Sequence, residues 1–258
     1  MSVRRSRGNR ERRGQHFLAS AKLAASLAGA AGLGPGDLAV DVGAGTGVLT
    51  RALRARGSDV VAIERDRALA ARLRASFARD PGVEIAEADA REWEWPRREF
   101  GVVANLPFFA AADVLRSLLD DPAVPLLQAH LIVQWEAAVK LASVSPSTLR
   151  SVYWGAWREL VVVRRLGPSA FAPPPSVAAA VLRIVPRAQP LVPAGEHRLY
   201  RAFLERCWRD VPLRRALRVE LGARGLKQLA REQGFATDAR PRDLDVHQWA
   251  ALYRAFRI

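Results

Sequence analysis

The run VVANLPFF, residues 102 to 109, ends in a carboxamide, a proline and two aromatic rings. Turns are usually built from Gly, Asn, Asp and Pro, and they rarely carry two large rings. The combination suits a flat ligand that bears an amine. The side-chain oxygen of Asn105 and the carbonyl of Leu106 can both accept from one exocyclic amino group. In an aromatic amine the nitrogen lone pair is delocalised into the ring. Two acceptors around that nitrogen favour a pyramidal geometry and free the pair to attack an electrophilic carbon. Pro107 fixes the loop, and Phe108 offers a stacking face, worth ~1 to 3 kcal/mol for a base. Phe109 is expected to be a core residue.

A second constellation supplies the electrophile. DVGAGTGVLT follows an apolar run, with glycines at 43, 45 and 47 that permit a tight turn and close approach of a ligand to the backbone. A dinucleotide fingerprint would need glycine at 48, where Val48 stands. The acid two residues before Gly43, Asp41, favours a cationic ligand, an amine or a sulfonium, over a pyrophosphate. Glu64 can accept from both hydroxyls of a ribose, and Asp89 from an adenine amino group. The ligand these groups fit is S-adenosyl-L-methionine. None of the His, Cys or carboxylate positions has metal-ligand spacing, so no metal is expected.

Such groups meet only if strand ends share one edge of a sheet. Strands are expected over 38–43, 59–64, 83–89, 100–106 and 129–134, with helices over 20–31, 48–57, 67–79 and about 110–119 between them. Short apolar strands alternating with helices mean a mostly parallel sheet covered on both faces. Glu64, Asp89 and Asn105 then close successive strands beside the glycine loop. Residues 153–166 and 177–186 read as a closing pair of strands. After the linker-like PRAQPLVPAG the pattern becomes helical only, in four segments between 196 and 256. The expected organisation is a basic arm (1–13), a methyltransferase domain (14–188) and a helical RNA-binding domain (189–258). Cys207 reads as a core residue of a helix, and His130, His197 and His247 have no partner pattern.

Charge names the partner class. A formal charge of +14, nearly all of it arginine, points to a polyanion. The arm alone holds six arginines against Glu11. Arginine's planar fork suits phosphates and stacked bases. No apolar run reaches the ~18 to 20 residues needed to span a bilayer, and the basic N-terminus lacks the apolar core of a secretory signal. The expectation is a cytoplasmic, monomeric protein that binds RNA.

Taken together these motifs resemble the rRNA adenine N6-methyltransferases, in particular the erythromycin-resistance type. The resemblance covers nearly the whole chain: RGQHFLAS (13–20), DVGAGTG, Glu64, EADARE (87–92), NLPFF, LIVQWEAAVKLA (131–142) and AFAPPPSV (170–177). It implies a class I, Rossmann-like fold with a seven-stranded, mostly parallel sheet and a small C-terminal all-helical domain. It implies that Gln15 and His16 line the methionine end of the cofactor pocket, that Ala90 flanks the adenine, and that Phe171 is a second ring opposite Phe108. Leu18, Ala44 and Arg65 complete the expected cofactor lining. The family often has Asn at the position of His16 and Tyr at that of Phe108. QWEAAVKLA, YWGAWREL and the arginine excess favour the resistance type. That type modifies a 23S rRNA adenine in the peptidyl-transferase region, which confers macrolide, lincosamide and streptogramin B resistance. Two alternatives stay open, a 16S rRNA adenine dimethyltransferase and an RNA-binding protein without activity.

Overall fold

The computed structural model describes residues 16–257; the arm (1–13) and Gln15 lie outside them. The described chain forms two compact units. One comprises the residues up to Ala138 together with Val161–Val185, and the other Val139–Leu160 and the chain from Pro186 onward.

The first unit is built around a sheet whose strand order is β4-β3-β2-β5-β6-β9-β7. Its strands are β2 (Leu38–Val42), β3 (Asp59–Ile63), β4 (Val83–Ala86), β5 (Phe100–Asn105), β6 (Leu126–Gln134), β7 (Arg158–Leu166) and β9 (Ala179–Pro186). The pairings of β2 with β3 and β5, of β3 with β4 and of β5 with β6 are parallel, while β6 and β9 run antiparallel. Every residue of β2 is buried, as a central strand covered on both faces requires. Helices α1 (Ala21–Ala30), α2 (Val48–Arg54), α3 (Arg67–Ser76) and α4 (Ala111–Leu119) separate the strands as the periodicity predicts. Two of them begin on side-chain caps. Ser20 accepts from the Leu23 amide, and Asp66 accepts from the amides of Ala68 and Leu69.

A feature the periodicity does not predict is a two-stranded clasp. Phe17–Leu18 (β1) pairs antiparallel with Phe171–Ala172 (β8), and Leu18 and Phe171 join the apolar core between sheet and helices. Strands this short have no alternation to read.

The second unit corrects the expected boundary and one expected strand. Residues 139–160 belong to this unit and not to the methyltransferase domain, and residues 153–157 are not strand. Thr148 and Ser151 form a reciprocal capping box that starts α6 (Leu149–Gly155), all of whose last five residues are buried. Tyr153 and Trp157 then enter an aromatic core with Tyr200, Tyr253, Phe203 and Trp249, and Trp154 is buried as well. An apolar run of β-branched and aromatic residues is ambiguous in isolation, and here the cap and the packing decide for helix. Helix α5 (Trp135–Ala142) also went unassigned in the periodicity. Of the four expected C-terminal segments the first and last are α7 (His197–Cys207) and α10 (Val246–Phe256), while the middle two, PLRRALRVELG and LKQLAREQG, divide differently, into α8 (Leu213–Ala216) and α9 (Arg218–Gln233). Gly222, the end of the first of these middle segments, is a kink inside α9, with φ 64° and ψ 171°. Cys207 is fully buried. No helix among the described residues is long and apolar enough to cross a membrane, and no cluster of potential metal ligands occurs among them.

Candidate active site

The carboxyl ends of β2, β3, β4 and β5 open on one cavity of about 400 Å³, within the ~300 to 1,000 Å³ typical of small-ligand sites. Gly43, Glu64, Arg65, Asp89 and Ala90 line one part of it, and Asn105, Leu106, Pro107 and Phe108 another, with His16 also on the wall. The two constellations read from the sequence therefore meet in one space.

The glycine loop is held from behind. Gly43, Gly45 and Gly47 have φ of 70°, 57° and 76°, conformations that side chains resist. A Cβ at Gly43 would stand 3.2 Å from Pro107 Cδ, a crowded contact, so the missing side chain lets the two loops lie close together. A Cβ at Gly45 would stand 2.7 Å from the Phe17 ring. Glu64, 5% exposed, accepts from the Gly45 amide at 2.8 Å through Oε2 and from the Asp66 amide at 2.8 Å through Oε1. Each oxygen keeps a second lone pair for a ribose hydroxyl. Its first duty is to set the loop.

Asp41 departs from the expected placement. It does not line the cavity; it is 1% exposed and points at α2, where Thr50 Oγ1 donates to its Oδ2 at 2.7 Å. Its Oδ1 meets no hydrogen-bond donor among the described residues. Burial lifts this carboxyl to about 7, partly countered by hydrogen bonds from Thr50 and raised further by the Glu64 charge. A carboxyl so perturbed is only partly charged at neutral pH, which weakens the expected direct attraction for a cation. Asp89, in contrast, lines the cavity and is held near 2, chiefly by the hydrogen bonds of Arg91 and also by Arg65 at 3.6 Å. It is the anionic acceptor on the wall.

Asn105 ends β5 with its amide orientation fixed. Nδ2 donates to the His16 carbonyl at 2.6 Å. A carbonyl can only accept, so the amide cannot be flipped, and Oδ1 is left as its acceptor. His16 is itself anchored, its Nδ1 lying 2.8 Å from the Pro173 carbonyl and so carrying the proton. Leu106 is buried at 1% and its amide bonds to Ile132, while Ala110 and Ala111 donate to the Pro107 carbonyl.

The rings are arranged otherwise than expected. Phe171 does not face the cavity; at 3% exposed it is core, pinned by the clasp with Leu18. Phe108 lines the cavity but leans on the same core, its ring 6.0 Å from that of His16. Phe109, expected in the core, is 50% exposed on the cavity wall with the Arg65 guanidinium 5.7 Å from its ring centre. Helix α4 must bury Ala111, Val114, Leu115 and Leu118, and its phase turns Phe109 outward. Leu18, Ala44 and Gly45 support the site from the core or behind the loop and do not line the cavity. Phe17, by contrast, lines it, a placement that the motifs do not predict. Its position between His16 and Leu18 in RGQHFLAS was the available signal.

Comparison with known proteins decides the family. Residues 7–257 match the family described as ribosomal RNA adenine dimethylase. The chain belongs to that family. Among its relatives, the mycinamicin-resistance protein MyrB of Micromonospora griseorubida is 32% identical across 97% of the chain and 80% of its own length. The ribosomal RNA small subunit methyltransferase A of Azorhizobium caulinodans is 36% identical across 94% of the chain and 87% of its own. The crystal structure of the 23S rRNA methyltransferase ErmE superimposes with a TM-score of 0.84 at 26% identity, covering 94% of this chain and 100% of that one. The adenine dimethylase family fixes the reaction as N6-methylation of rRNA adenine and the cofactor as S-adenosyl-L-methionine. The residues present fit that cofactor. Gly43 leaves its stretch of the cavity wall free of a side chain, and Glu64 and Asp89 stand on the wall as acceptors for hydroxyl and amine groups.

Proposed function

We propose that the protein methylates N6 of an adenine in 23S rRNA, in the peptidyl-transferase region, and so confers resistance to macrolides, lincosamides and streptogramin B. One observation carries the chemistry: the latched Asn105 amide lines the same cavity as Glu64 and Asp89. The target adenine leaves its stack to reach that space, as any base modified by an enzyme must. Oδ1 of Asn105 and the Leu106 carbonyl accept its two amino protons and favour the pyramidal nitrogen. Phe108 stacks on the base. S-adenosylmethionine supplies an electrophilic methyl group. The methylated ammonium is acidic and loses its proton to water, so the chain needs no strong general base. Positioning and electrostatics supply the acceleration. Within the cofactor pocket Glu64 holds the ribose hydroxyls, Asp89 the adenine amine, and Gly43, Arg65, Ala90 and His16 the remaining contacts.

Likeness to ErmE and to the mycinamicin-resistance protein over nearly the whole chain supports 23S rRNA as the substrate. A second reading, dimethylation of 16S rRNA, is favoured by the 36% identity to the small subunit methyltransferase. The helical unit and the arginine-rich arm serve the RNA backbone, in a monomer acting in the cytoplasm. Ribosomes from cells with and without the protein separate the readings. The expected result is new N6-methyladenine in 23S rRNA and growth on macrolides. New methylation confined to 16S rRNA, with unchanged drug sensitivity, overturns the proposal in favour of the second reading.

A further inference from the structure

Phe109 is the one ring of the NLPFF loop that the fold leaves uncovered. Half of it is exposed, it lies on the cavity wall, and the Arg65 guanidinium lies 5.7 Å from its centre. Arg65 also reaches Asp89 Oδ2 at 3.6 Å, which holds the guanidinium beside the ring. Burying a phenylalanine is favourable, so this ring, open at the cavity wall beside a cation, gains that energy when a ligand covers it. Phe108, the neighbouring ring, leans on the core and lines the interior of the same space.

An extruded nucleotide enters such a cavity while its neighbours in the strand stay outside, at the rim. What waits at this rim is a π face with a cation over it, a pairing that accepts a second base without reading its sequence. We propose that Phe109, braced by Arg65, stacks on the nucleotide adjoining the target adenine and positions the RNA strand. The guanidinium lies close enough to the ring to contact the phosphate of a nucleotide stacked there. Phe109 is then a substrate-binding residue for RNA, distinct from the target-base ring Phe108 and from the cofactor contacts.

This inference rests on the target amine being held at Asn105 and Leu106, and the experiment separates the two. Steady-state methyl transfer is measured on an rRNA fragment that contains the adenine mapped in ribosomes. Phe109→Ala and Phe109→Trp are compared with wild type, with Asn105→Ala as the control for the reading beneath. Losing a stacked base should raise the KM for RNA by about five- to a hundred-fold. The KM for cofactor and kcat at saturating RNA should stay near wild type, and Phe109→Trp should restore RNA affinity. An abasic nucleotide beside the target, placed on one side and then on the other, supplies the second variable. One of the two should mimic Phe109→Ala in the wild type and add no further loss in the variant. An unchanged KM for RNA in Phe109→Ala overturns the inference. So does an abasic penalty that adds fully to that of the variant. If Asn105→Ala retains transfer, the placement of the target amine fails instead.

Discussion

The two loops that share the cavity are built on opposite plans. The loop from Gly43 to Gly47 is all backbone, shaped by buried polar groups: Glu64 grips the Gly45 amide, and Asp41 ties the strand to Thr50. The loop from Asn105 to Phe109 presents side chains, with a side-chain hydrogen bond from Asn105 to the His16 carbonyl and rings that remain partly open. In the function proposed above, the first binds the same small molecule in every cycle and is set before the ligand arrives. The second then admits a base from a large RNA, and its apolar surface is in reserve for it. A preset polar frame reduces the ordering cost of binding, whereas exposed rings gain energy only when a base covers them.

The sharpest break in that contrast is at Asn105. Asn105→Ala should lower kcat by about 100-fold or more, as for loss of a preorganised polar group at a reacting centre. Cofactor affinity, measured by calorimetry, should remain within a few-fold of wild type. Asn105→Asp keeps an acceptor oxygen but cannot donate to the His16 carbonyl, so it too should be inactive. Activity in the Asp variant would show that the latch is dispensable. On the other loop, Glu64→Gln should raise the cofactor dissociation constant by about 10- to 100-fold, since hydrogen bonds to a charged group are worth ~1.5 to 3 kcal/mol. RNA affinity should not move. If RNA binding weakened equally, the two loops would not be separable as described.

Gly45→Ala tests the backbone plan. The added Cβ would overlap the Phe17 ring at a φ of 57°, and the cost should be ~1 to 3 kcal/mol, read as a lower denaturation midpoint. A separate effect concerns pH. Folding raises the Asp41 carboxyl to about 7, so the folded chain keeps a proton that the unfolded chain has released. Stability therefore falls as pH rises from about 4 towards 7, with a slope of at most ~1.4 kcal/mol per pH unit. Asp89, held near 2 by Arg91, acts in the opposite sense, and its contribution is lost only as pH drops below the ordinary carboxylate range. Asp41→Asn should flatten the slope between pH 5 and 7 and leave the acid limb in place. Equal slopes in wild type and variant would remove Asp41 from that account.

Glu64, Asp89 and Asn105 were legible because strand periodicity alone sets which residues end at the ligand edge of a parallel sheet. The glycines were legible because their conformations are nearly forbidden to other residues. Phe109 and Phe171 were not, because which ring faces the cavity depends on the phase of α4 and on the clasp between β1 and β8. Asp41 shows a related limit. Sequence spacing put an acid beside the loop, but only the path of β2 against α2 decides that its carboxyl turns away from the ligand. The same holds for residues 153–157, which a run of tryptophan and tyrosine leading into valines assigns to sheet until Tyr200 supplies an aromatic core for a helix.

The clasp has a consequence for the order in which the enzyme becomes competent. His16 forms part of the cavity wall and orients Asn105, yet its own ring is secured by the Pro173 carbonyl, 157 residues further along the chain. A growing polypeptide can assemble the glycine loop and its strands early, but this wall has no anchor until the segment around Pro173 has been synthesised. The wall that orients Asn105 is thus completed only after two segments far apart in the chain have met.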